Sequence, residues 1–149
     1  MNPFDLKSAL LAKHAQHIVL VHFPIALFIT SVAFDFAAHW TRKKTLSVAA
    51  YYNLVLAAVS SLPVVITGLL AWRWQLEGQR LHGILLWHLV LGVSSSALIW
   101  MVWWLHFRAR RRPEQVLSPY RLSVELLAVM MVALTAHIGG FLSGVNISG

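Results

Sequence analysis

Residues 84–105, ILLWHLVLGVSSSALIWMVWWL, decide the fold. The run holds no Asp, Glu, Lys or Arg, and its 22 residues, as a helix, match the ~30 Å hydrocarbon core of a bilayer at ~1.5 Å per residue. Three further apolar runs of 19–22 residues lie at about 18–39, 54–72 and 122–142, with Asp35 and Glu125 their only charged residues. Tryptophans mark both boundaries of this set, as amphipathic rings at headgroup level do. Trp72, Trp74 and Trp87 fall on the side of the N-terminus, and Trp40, Trp100, Trp103 and Trp104 on the other.

The whole chain fits that reading. Of its 149 residues 58% are hydrophobic and 11% charged, against about 25% charged in soluble domains. The expected fold is all-α: one domain over residues 1–149, an integral membrane four-helix bundle of up-down topology. Residues 1–17 carry no cleavable signal pattern, and their spaced Phe4, Leu6, Leu10 and Leu11 predict a short interfacial segment before the first span.

Charge orients the bundle. Arg42, Lys43 and Lys44 follow the first span, and Arg108, Arg110, Arg111, Arg112 and Arg121 follow the third. Lys7, Lys13, Arg73 and Arg80 lie on the opposite side. By the positive-inside rule both termini face away from the cytoplasm, which for a bacterial inner membrane means the periplasm. The net charge of +7 is thus explained by topology and anionic lipid, and no nucleic-acid partner is expected.

There is no cysteine, so disulfides, thiolate metal sites and covalently attached haem are excluded. No Ser/His/Asp order, phosphate-cradling Gly loop or H-E-x-x-H supports hydrolase chemistry. The chemistry-bearing residues are the eight histidines. His22 is four residues into the first span, His88 four into the third, and His137 five from the end of the fourth. Each therefore lies ~6–8 Å below the same outer boundary. Gly68 of the second span falls in that slab, and His17 and His82 sit just above it.

Imidazole inside a bilayer is costly unless hydrogen-bonded or ligated, so a convergent set marks a site. Haem b suits it. Two neutral imidazoles from diagonal helices can be axial ligands, a glycine lets a planar ring approach the backbone, and Arg73 or Arg80 can pair with propionates. His22 and His88 are the expected axial ligands, with His137 and then His17 as alternates. A bare copper, zinc or iron ion on His22, His88 and His137 is the competing reading.

Other polar residues read as structural. His39 and His106 are expected to be ordinary interfacial histidines, and Glu125 to be solvated. Asp35 is expected to pair with Ser, Thr or Arg42 as an anchor, a place on a proton path being the alternative, and the serines Ser60, Ser61 and Ser94 to Ser96 are expected to bond back to their own helices. Gly92 with Ser96, and Gly140 with Gly144, are small pairs at four-residue spacing that allow close helix approach.

His17-Ile-Val-Leu-Val-His22-Phe23-Pro24-Ile-Ala followed by Asp35 resembles the opening of a bacterial family of small four-helix membrane proteins of unknown function. Thr67-Gly68, then Arg80 with His88 and Gly92, then His137 with Gly139, Gly140 and Gly144 match its later elements, over nearly the whole chain. The family's usual Pro after the first His is Ile18 here. The resemblance implies the fold and the importance of these positions. Some members resemble redox-associated membrane domains or lie beside them, which favours haem.

The expected function is a b-type haem protein moving electrons near the outer face, at most an electron-transfer component of an oxidoreductase. Expected partners are the lipid bilayer, quinol and a periplasmic redox protein. The alternatives are transition-metal binding, or a non-catalytic subunit stabilising a larger membrane complex or homo-oligomer.

Overall fold

The computed structural model describes residues 13–75, 80–111 and 120–143. They form four helices: α1 (Lys13–Thr41), α2 (Lys44–Gln75), α3 (Gly83–Arg110) and α4 (Arg121–Leu142). All four are long and apolar enough to cross a membrane. The all-α membrane bundle expected from the sequence is what the chain adopts.

Each helix outruns its apolar run, except α4, which differs from it by one residue. In a bilayer every backbone group must be satisfied within the element, and nothing in the flanking segments breaks the ladder. The consequence is largest at the start of the chain. Residues 13–17 continue α1 instead of belonging to a separate interfacial piece, and the remainder of that segment, residues 1–12, lies outside the described residues.

Helix α1 packs most extensively on α2, and α4 on α3. Helices α2 and α3 also meet, and α4 closes back on α1, so the cyclic order is α1–α2–α3–α4 with α1 opposite α3. The α1–α2 link is only Arg42 and Lys43. Arg42 takes a left-handed backbone conformation (φ 58°), and its N–H bonds the Ala38 carbonyl at 2.9 Å to end the helix.

The surface is as apolar as the interior, as a lipid-facing bundle requires: Val19, Leu56, Val59, Ile66, Leu127 and Met130 are all exposed. The core is Phe28, Val32, Leu54, Ala57, Ala58, Ile99, Val102, Ala128 and Val132. Its alanines let the helices approach, and hydroxyls stitch them together. Ser31 donates to the Ala50 carbonyl at 2.7 Å, Ser96 to Ser61 at 3.0 Å, and Ser95 meets Thr135 at 3.0 Å. Ser60 and Ser61 bond back to their own helix as expected, whereas Ser95 and Ser96 bond across. Gly92 faces Thr135 of α4, while Gly140 has no neighbouring atom nearby and Gly144 lies outside the described residues.

Along each helix, buried positions recur every seventh residue and lead to a half-buried one at the end carrying the termini, the period that keeps one seam facing the bundle axis. On α1 the series is His17, Pro24, Ser31 and Ala38. On α2 it is Gly68, Ser61 and Leu54, on α3 His88, Ser95, Val102 and Ala109, and on α4 Gly139, Val132 and Glu125. With helices alternating in direction, these series stack in register. The first layer, at the end carrying the termini, is His17, Gly68, His88 and Gly139.

Candidate functional site

That layer places two imidazoles on the diagonal helices α1 and α3 and two glycines on the other diagonal. Each ring lies in the notch a glycine leaves. A Cβ on Gly68 would stand 3.0 Å from His17 Cε1, and one on Gly139 would stand 2.9 Å from His88 Cε1. The two rings approach across the bundle, their centroids 6.4 Å apart and their planes at 85°.

Thr67 orients the first of them. Its hydroxyl donates to the Pro63 and Val64 carbonyls, at 2.8 and 3.1 Å, and this leaves its oxygen to accept from His17 Nδ1 at 3.3 Å. With the proton on Nδ1, the lone pair of His17 is on Nε2. On the second ring, His88 Nδ1 is buried with no hydrogen-bond partner among the described residues. The Thr135 backbone acts on this imidazole without reaching hydrogen-bonding geometry at Nδ1. A buried polar atom without a partner is rare enough to mark a site.

The other expected site residues lie elsewhere. His22 is exposed and its Nδ1 bonds the Ile18 carbonyl of its own helix at 2.6 Å. His137 is exposed, edge-on to Phe141 with centroids 5.0 Å apart. Neither is on an inward seam, and His22, His88 and His137 do not gather into a ligand set among the described residues. His82 is exposed just before α3, its ring on the Arg80 carbonyl. Arg73 and Arg80 are exposed at the same end of the bundle. His14's side chain lies outside the described residues.

A second group forms at the opposite, basic end. Arg121 Nε donates to Asp35 Oδ2 at 2.6 Å, and His106 Nε2 meets Glu125 Oε1 at 2.7 Å. Asp35, His106 and Glu125 come from three helices, are each at most 4% exposed, and offer ligand atoms within 4.8 Å of one another. Among the described residues Glu125 Oε2 is buried without a partner.

Three expectations are corrected here. His106 is a buried partner and no ordinary interfacial residue, because α3 turns it onto the seam beside Val102 and Ala109. Glu125 is not solvated, because the helix continues past it to Arg121 and the neighbouring helices cover it. Asp35 is an anchor, but to Arg121 at the start of α4 instead of Arg42, which the turn after α1 leaves exposed. His39, by contrast, is exposed as expected.

A family model described as "Predicted membrane protein (DUF2231)" matches residues 13–146. No curated protein and no solved structure matches the chain.

Proposed function

The chain belongs to the DUF2231 family of predicted membrane proteins, and from the site that this multi-pass bundle carries at its terminal end we propose that it binds haem b through His17 and His88 and transfers electrons. The observation that carries the reading is the pair of imidazoles on diagonal helices, 6.4 Å between centroids with planes at 85°.

The donor set favours haem over a bare ion. A zinc site takes three or four protein ligands, and among the described residues no third His or carboxylate joins His17 and His88. A tetrapyrrole brings its own four nitrogens and needs only the two axial ones. The ring orientation supports the same choice, since Thr67 Oγ1 accepts a hydrogen bond from His17 Nδ1, as the groups that orient ligating histidines do. Gly68 and Gly139 hold the imidazoles against the backbone, and Arg73 and Arg80 supply exposed cations for carboxylate substituents.

Haem held by two imidazoles supplies reversible one-electron chemistry with no open position for oxygen. The residues around it exclude water and fix the ring planes. On this reading quinol in the membrane is the donor and a periplasmic redox protein the acceptor, and the membrane is the bacterial inner one.

The protein purified in mild detergent from cells supplied with haem precursor is expected to carry about one haem b per chain, with sharp α and β bands on dithionite reduction. A protein that stays colourless after added hemin would overturn the proposal. Gly139→Ala gives a finer test. The new Cβ meets only the far end of the His88 side chain, so the fold should hold while the imidazole moves. Haem affinity is expected to fall by about 10- to 100-fold, the usual cost of disturbing a ligand's support.

A further inference from the structure

The tetrad at the basic end is not used by the haem site. His106 lies eighteen residues beyond His88 on α3, ~27 Å away along the helix. Its chemistry can be worked out from charge. Arg121 is a fixed cation bonded to Asp35, and that pair is neutral. Glu125 and His106 are joined by one short contact, Oε1 to Nε2. With the acid form of Glu125 on neutral His106, or its carboxylate on the imidazolium, the tetrad is neutral; with one proton fewer, the carboxylate faces a neutral imidazole and a net negative charge sits in the bilayer interior.

Two simpler roles fit less well. Helix pinning alone would be served by saturated ion pairs, but Glu125 Oε2 is left unpartnered in a side chain only 2% exposed. If Glu125 were an ionised carboxylate, that bare oxygen would share a buried charge with no donor; as the acid it is only a neutral carbonyl. A divalent cation could use ligand atoms within 4.8 Å of one another. It would have to break both short contacts and sit beside the Arg121 charge, which repels it.

We propose that the Glu125–His106 pair is a site for a single exchangeable proton at the basic end of the bundle, with Asp35–Arg121 as its fixed counter-charge. On release the Glu125 O–H bond breaks, its electron pair stays on the carboxylate, and the proton passes to His106 Nε2 and from the imidazole to solvent. Uptake from solvent is the reverse. The ionisable groups that act on Glu125 are Asp35 from α1, His106 from α3 and Arg121 from its own helix. On α2, Tyr51 lies under the Arg110 guanidinium instead. The site is independent of the haem reading and survives its failure.

Infrared spectroscopy of the full chain in lipid nanodiscs, recorded against pH in H2O and in D2O, tests this. The expected result is a carboxylic-acid carbonyl band that shifts in D2O, fades as pH rises, and is lost completely in Glu125→Gln, whose amide keeps the contact to His106. Isotope labelling of glutamate must shift the same band in the unsubstituted protein, and Glu77→Gln and Glu114→Gln, the other two glutamates, must leave it in place, so the assignment stands even if Glu125→Gln fails to fold. The absence of an exchangeable acid band would overturn the proposal, as would a band indifferent to the label. A stoichiometric divalent metal lost with Glu125→Gln would overturn it in favour of a metal site.

Discussion

His88→Ala is expected to empty the protein of haem while leaving its helices in place. The side chain is half-buried at one end of the bundle, outside the core built around Phe28, Leu54 and Ile99. Its loss therefore removes a ligand without opening that core. Haem affinity should fall by more than ~100-fold, beyond the ~10- to 100-fold seen when only a group hydrogen-bonded to a ligand is lost. His17→Ala should match it. His22→Ala and His137→Ala should change affinity by less than about twofold, as exposed substitutions within ~0.5 kcal/mol do. Hemin titration of the four variants, with far-ultraviolet circular dichroism as the fold control, checks all of this. Equal losses in all four would contradict the assignment of the inward pair.

The second large effect is on stability. Arg121→Ala leaves Asp35, only 3% exposed at its side chain, as an unpaired charge in the bundle interior. Removing one partner of a buried pair typically costs about 3–5 kcal/mol, most of it the desolvation of the charge left behind. A loss of that order is expected in reversible unfolding in detergent or lipid. The cycle identifies the cause: Asp35→Ala combined with Arg121→Ala should recover much of the loss, because the stranded charge is gone. Simple addition of the two single effects would mean that the ion pair is not what holds α4 to α1.

These two predictions concern the two ends of one bundle, and the sequence revealed them unequally. The spans, the boundary tryptophans and the depth of the histidine layer follow from hydropathy and rise per residue, which depend on few neighbours. Gly68 and His88 were legible for the same reason. The choice between His17 and His22 was not, because depth does not say which way a helix face turns. Five residues apart, they point ~140° from one another at ~100° per residue. A signal existed: counting back from Ala38 by sevens through Ser31 and Pro24 reaches His17, while His22 falls on the lipid side with exposed Ile29. The same count from Val132 reaches Gly139 and passes over His137.

The basic end was misread for a different reason. His106, Glu125 and Arg121 lie next to loops and aromatic residues, where single-residue logic assigns them to the interface. Their burial is a property of the assembled bundle. The α1–α2 and α3–α4 pairs bring Asp35 to Arg121 across 86 positions of sequence, a pairing no local pattern encodes. Each of the four would be unfavourable alone in lipid, and together they are compatible with it because their charges cancel.

If His17 and His88 hold a haem iron between them as proposed, low-temperature electron paramagnetic resonance of the oxidised, haem-loaded protein will report it. Ring planes at 85° predict a single low-spin ferric signal with the strong anisotropy of near-perpendicular axial imidazoles. A high-spin signal, or a protein that takes up no haem to give one, would contradict it.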